Sequence, residues 1–107
     1  MKKNEESNQH LLLLAQLSKS IGHPTRLSIL QSLASKGGWI EGEIVAVSGV
    51  APTTIIQHLR ELKRVGIIQG RIFGAQCRYG LNKEILLEFQ KIWNETMNQI
   101  ITDSKKA

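Results

Sequence analysis

Residues 49–81, GVAPTTIIQHLRELKRVGIIQGRIFGAQCRYGL, change their hydrophobic period at one glycine, and that change limits the folds open to the chain. Before Gly66, the apolar residues Ile55, Leu59 and Leu62 fall at i, i+4 and i+7, the spacing of one buried helical face over about 51–65. Pro52 suits the first turn, where its missing N–H has no intrahelical partner to lose. Gly66 can close the helix in the left-handed conformation without a Cβ penalty. Beyond it, 67–72 and 77–81 are β-rich runs joined by Phe73, Gly74, Ala75 and Gln76, with a glycine where a hairpin needs one. A helix followed at once by a short hairpin is the expectation for this stretch.

The polar face of that helix carries Thr53, Thr54, Gln57, His58, Arg60, Glu61 and Arg64. Hydroxyls and helix N-terminal amides hold phosphates, Gln can pair bidentately with adenine, and Arg or Lys neutralises a sugar–phosphate backbone. An ordinary amphipathic helix with a solvated polar face would show the same pattern, and the surrounding charge separates the two. Residues 50–83 hold Arg60, Lys63, Arg64, Arg71, Arg78 and Lys83 against the single acid Glu61, a net +5 that equals the charge of the whole chain. A positive field focused in one segment is the electrostatic footprint of a nucleic-acid binder.

At 107 residues, with 41% hydrophobic and 21% charged residues, the chain suits one small globular domain, and 1–107 is read as such. One cysteine excludes an internal disulfide framework and fits a reducing, cytoplasmic setting. Lysines precede an apolar run at Leu11 to Leu14, but that run is too short for a signal or membrane segment. Residues 1–6 and 103–107 are polar and expected to be flexible.

Leu11, Leu12, Leu14 and Leu17, with Ile21, mark a helix over about 7–21 that Gly22 ends. Its leucines point around more of the helix than one small core can use, which suits either a deeply buried helix or a subunit interface. His23, Pro24 and Thr25 open a second helix with Leu27, Ile29, Leu30 and Leu33 facing inward, and Arg26 near its start can reach a phosphate or an acidic neighbour. After Lys36, Gly37 and Gly38, Trp39 and Ile40 are expected to pack, and 41–48 to form a short third helix with Ile44, Val45 and Val47 in the core. Short helix, glycine turn at Gly49, second helix: this is the pattern of a helix-turn-helix, and a basic hairpin directly after it is a wing. Asn82 then suits an N-cap for a last helix to about Thr102, with Phe89, Trp93 and Met97 in a broad apolar stripe. The fold class is therefore mostly α with a small β-hairpin: a winged helix-turn-helix of about five helices and a two-stranded wing.

With these pieces in order, the chain resembles the ArsR family of bacterial winged-helix repressors over roughly residues 17–100. The resemblance rests on Gly22-His23-Pro24-Thr25-Arg26-Leu27, Ile29-Leu30, Gly49-Val50, His58-Leu59, Leu62, Gly66-Ile67-Ile68, Gly74 and Tyr79. It implies a homodimer joined through its first and last helices, here Leu11, Leu12, Leu14 and Leu17 against Phe89, Trp93 and Met97. It also implies two recognition helices in successive major grooves of double-stranded DNA and wings on the flanking backbone. The expected DNA contacts are Thr53, Thr54, Gln57 and His58 on the helix, with Arg60, Lys63, Arg64, Arg71 and Arg78 toward phosphate.

The departures from the family are informative. Metal-sensing members carry a Cys-x-Cys pair where this chain has Ile40 and Gly42, or Asp and His pairs on the last helix, whose acids here are Glu84, Glu88 and Glu95. His10, His23 and His58 lie on different helices and are read as packed or solvated, because zinc and its relatives need three or four convergent ligands. No metal or cofactor is expected. Cys77 has no second cysteine to bridge and is expected to be buried in the wing. Ala51 and Ile56 replace hydroxyls common in the family's recognition helix, and Ile56 can meet a thymine methyl or the core. Ala75 removes a cation often found near the wing tip. No Ser–His–Asp or Cys–His set, phosphate-cradling loop or carboxylate pair supports an enzyme. The alternative to a DNA-binding repressor is a winged-helix protein-interaction module, and an unknown inducer or regulatory partner protein fits either reading.

Overall fold

The computed structural model describes residues 2–42 and 49–104. The elements are α1 (Lys2–Ile21), α2 (Pro24–Lys36), β1 (Ile40–Glu41), α3 (Pro52–Arg64), β2 (Ile68–Phe73), β3 (Gln76–Leu81) and α4 (Lys83–Asp103). The strands form an antiparallel sheet in the order β1-β3-β2. Among the described residues there are four helices rather than about five, and the wing hairpin gains a short third strand.

The α3 to β2 junction shows how local chemistry sets the fold. Gly66 adopts φ +84°. Its N–H donates to the Lys63 carbonyl at 3.0 Å and the Ile67 N–H to the Leu62 carbonyl at 3.0 Å. This is the Schellman pairing, and Leu62 and Ile67 supply its hydrophobic contact, both fully buried. The apolar stripe Ile55, Leu59 and Leu62 thus continues directly into Ile67 and Ile68, and all five join Leu17, Ile29 and Leu33 in one core.

Other ends are capped as their residues suggest. His23 stands at the N-cap of α2 and its Nδ1 accepts from the Thr25 N–H at 3.1 Å, with Pro24 in the first turn. Asn82 caps α4, its Oδ1 accepting from the Ile85 N–H at 3.5 Å.

Several expectations are corrected. α1 begins at Lys2 rather than at about Ser7; Glu5 in its first turn complements the helix dipole. Trp39 and Ile40 do pack, but Glu41 belongs to a strand, because Ile40 and Glu41 pair with Tyr79 and Arg78 of β3. The remainder of the expected third helix, with Ile44, Val45 and Val47, lies outside the described residues. Leu27, expected to face inward, is exposed, whereas Ile29 and Leu33 are buried. Leu14 and Leu17 are buried within the protomer, Leu17 in its core, while Leu11 and Leu12 are 51% and 61% exposed. Cys77 is exposed, contrary to the burial expected of a lone thiol. Its position on β3 opposite Ile72, which is itself exposed, puts it beyond the part of the sheet that the helices cover.

Candidate nucleic-acid interface

α3 presents two unlike faces. Ile55, Leu59 and Leu62 are buried, while Thr53, Thr54, Ile56, Gln57, Arg60, Lys63 and Arg64 are exposed. Thr53, Thr54 and Gln57 cluster in the first turns, and the cations follow toward the C-terminal end. The first turn contains no acid, and the N-cap residue Ala51 makes no side-chain cap.

The cations differ in what already holds them. Arg64 makes a bidentate pair with Glu61, Nε to Oε2 at 3.0 Å and a terminal nitrogen to Oε1 at 2.7 Å. The hydrogen bond from Arg64 holds the Glu61 carboxyl below its ordinary range, and Glu61 in turn raises Arg64. An exposed pair of this kind adds little to stability, and its practical effect is to mask one positive charge. Arg60 and Lys63 enter no ion pair with a described residue, and the Lys63 ammonium lies above Gly70 of β2.

His58 is half-buried and turned toward α2. Its Nδ1 accepts from Arg26 Nε at 3.1 Å, and its ring lies 4.6 Å from that of His23. Arg26 also donates to the Ser20 carbonyl at 2.9 Å, which ties the end of α1 to α3, and its charge helps to lower the pKa of the acidic neighbour Glu61. Burial, then the neighbouring His23 and Arg26, push the His58 pKa below its ordinary value. The Ser20 hydroxyl is buried with no hydrogen-bond partner among the described residues.

On the wing, Arg71 and Arg78 are register partners across β2 and β3. The Arg71 guanidinium lies 4.8 Å from the Trp39 ring centroid and that of Arg78 4.7 Å from the Phe73 ring. Sequence reasoning gives Trp39 and Phe73 no site role. The i, i+2 spacing of Arg71 and Phe73 signals a shared strand face, but the contribution of Trp39 depends on β1 joining the sheet.

Ile56 borders a cleft of about 420 Å³ between the start of α3 and β3, with Cys77 and Tyr79 on its far wall. Burial, aided by the adjoining Cys77, raises the Tyr79 hydroxyl pKa. Ile56 is 47% exposed and so does not belong to the core. Among the described residues no group of three or more His, Cys, Asp or Glu side chains could hold a metal ion, and no helix is long and apolar enough to cross a membrane.

The comparisons with known proteins agree with this geometry. A helix-turn-helix domain model matches residues 21–71, which span α2, α3 and most of the first wing strand. The HTH-type transcriptional regulator YgaV of Escherichia coli K12 is 30% identical over 93 residues, covering 87% of this chain and 83% of that protein. A similar solved structure is the homodimeric winged helix-turn-helix DNA-binding domain of a possible ArsR-family regulator from Mycobacterium bovis. It has a TM-score of 0.63 at 26% identity, covering 89% of this chain and 82% of that one. The transcriptional repressor BigR of Xylella fastidiosa has a TM-score of 0.61 at 27% identity, covering 83% and 88%. This chain belongs to the ArsR family of winged helix-turn-helix transcriptional regulators.

Proposed function

We propose that the protein is a homodimeric repressor that occludes a promoter by binding a palindromic operator, with α3 in the major groove and the wing on flanking backbone. The observation that carries this reading is the composition of the exposed α3 face. Thr53, Thr54 and Gln57 occupy the N-terminal half that meets base edges in helix-turn-helix docking, and Arg60 and Lys63 follow where phosphate is the natural partner. Arg64, paired to Glu61, contributes less than its neighbours, and His58 serves the Arg26 junction rather than a base.

Self-association is supported by apolar surface that one copy leaves uncovered. α1 and α4 pack side by side. Beyond their shared seam, Leu11, Leu12, Leu87, Trp93, Ile100 and Ile101 are each 43% to 64% exposed. The radius of gyration of 16.5 Å exceeds the roughly 13 Å expected of a compact domain of this length, as two protruding helices would produce. A second copy related by a twofold axis would cover that surface, with Phe89 and Met97 at its margin and Leu14 and Leu17 supporting it from within. Twofold symmetry then presents two α3 helices to two half-sites. The related repressor BigR supports the direction of regulation. The protein acts in the cytoplasm, where its duplex is found.

Selection of bound duplexes from a random pool tests this reading. Recovery of an inverted repeat with half-sites about one helical turn apart is expected. Recovery of no enriched sequence, with stable capture of an acidic protein instead, would replace it with a protein-interaction module.

A further inference from the structure

The outer face of the wing carries cations and aromatic rings in alternation. β2 and β3 pair Arg71 with Arg78 and Phe73 with Gln76, so these residues project from one side of the sheet, together with Gly80. The opposite side, with Ile68, Gly70 and Tyr79, packs toward α3 and the core. Ile40 pairs with Tyr79, which brings Trp39 level with Gly80. The indole lies so close there that a Cβ on Gly80 would sit 3.0 Å from its ring atoms. A strand glycine of this kind marks close approach by another group, and the group is Trp39. From that seat the indole supports Arg71 at 4.8 Å, while Arg78 lies 4.7 Å over Phe73, and the two rings are 6.5 Å apart.

Two cations directly opposite one another on adjacent strands repel. Each ring offsets part of that repulsion by drawing its guanidinium against a negative face, and an anion between them would offset more. Glu41 of β1 is the register partner of Arg78, on the side of β3 away from Arg71. Arg71 is therefore the cation farther from this acid.

We infer that Trp39 and Phe73 are positioning residues for DNA backbone recognition. They hold Arg71 and Arg78 as a pre-ordered pair of phosphate contacts, of which Arg71 is the stronger. An arginine already laid on a ring loses less side-chain freedom on binding than one that sweeps solvent. The inference rests on the reading of the wing as a DNA contact.

The test compares wild type, Trp39→Leu, Trp39→Phe, Arg71→Ala and the Trp39→Leu/Arg71→Ala double variant on selected and random duplexes across a salt series. Leucine keeps apolar cover over Gly80 but removes the π face. Trp39→Leu is expected to weaken both duplexes about two- to fivefold per wing. It should also flatten the dependence on salt although no charge has been removed, by up to ~0.9 units of log–log slope for each phosphate that is no longer neutralised. Trp39→Phe should restore both, and adding Trp39→Leu to Arg71→Ala should cost nothing further, since the residue acts through that arginine. Additive losses with an unchanged salt slope would mean a merely structural tryptophan and would overturn the inference. A wild type that ignores duplex DNA would instead overturn the DNA reading itself, in an arm that contains no variant. Should Trp39→Leu melt early, Phe73→Leu in combination with Arg78→Ala decides the question at a partly exposed site.

Discussion

Arg26 Nε donates to His58 Nδ1 at 3.1 Å, joining the start of α2 to the middle of α3. The bond requires a neutral imidazole, because a protonated Nδ1 is itself a donor and cannot accept. Burial, His23 and Arg26 all lower the His58 pKa in the folded protein.

A lowered folded-state pKa means that the unfolded chain binds the proton more readily. Stability from this site is therefore fully present above the unfolded value of about 6.5 and is lost as pH falls from there through the folded value. We expect the denaturation midpoint to drop between about pH 7.5 and 5.5, and His58→Asn to flatten that drop, since an amide oxygen can accept from Arg26 at any pH. Glu61 does not interfere, because its depressed carboxyl titrates well below this window. Identical pH profiles for the two proteins would exclude the junction as their cause.

The leucines of α1 divide into two classes that can be separated by measurement. Leu17 is 1% exposed, so Leu17→Ala should cost about 2–5 kcal/mol of folding stability. Leu12 is exposed on the proposed dimer face, so Leu12→Asp, like Trp93→Asp, should shift sedimentation toward monomer while each protomer stays folded. A wild type that sediments as a monomer at tens of micromolar would remove the interface altogether.

Local features are the legible ones. The stripe on α3, its closure at Gly66 and the Asn82 cap are each set by residues close together in the chain, and each forms as expected. The first turns of α1 escape sequence reading because Lys2 to Asn8 contain no apolar residue to mark a period. Strand β1 escapes it because the strand forms against Arg78 and Tyr79 far along the chain, whereas the segment alone reads as well for a helix. The same limit hides the site's supports. Arg26 and His58 are 32 positions apart, and the stacking of Arg71 on Trp39 exists only once three strands have assembled. The exposure of Cys77 follows from where the hairpin outruns the helices, a tertiary matter that residue type does not encode.

That exposure gives a direct prediction. In the native protein Cys77 should react fully with a maleimide without denaturant, and Cys77→Ser should leave DNA affinity unchanged. Titration with zinc, cadmium, nickel or arsenite should likewise leave affinity unchanged, because Ile40 and Gly42 stand where the family's ligand pair would be. Release from DNA by a stoichiometric metal, abolished by replacing one histidine, would show that ligands had been overlooked.

The division of labour between α3 and the wing makes the last prediction. Gln57 is exposed on the N-terminal half of α3, the half proposed to reach base edges, so Gln57→Ala should cost about 1–3 kcal/mol on the selected duplex and far less on random sequence. Arg78 projects from the outer wing face beside Arg71. Its replacement by Ala should weaken both duplexes alike and flatten the salt dependence by nearly one unit of log–log slope for each phosphate left without its cation. In a dimer each substitution occurs in both half-sites, which doubles the free-energy change and makes the contrast easier to resolve. The two variants should then separate on a plot of specific against random affinity. If Gln57→Ala proves harmless while Arg78→Ala abolishes only specific binding, the wing is the reader of sequence and α3 the anchor.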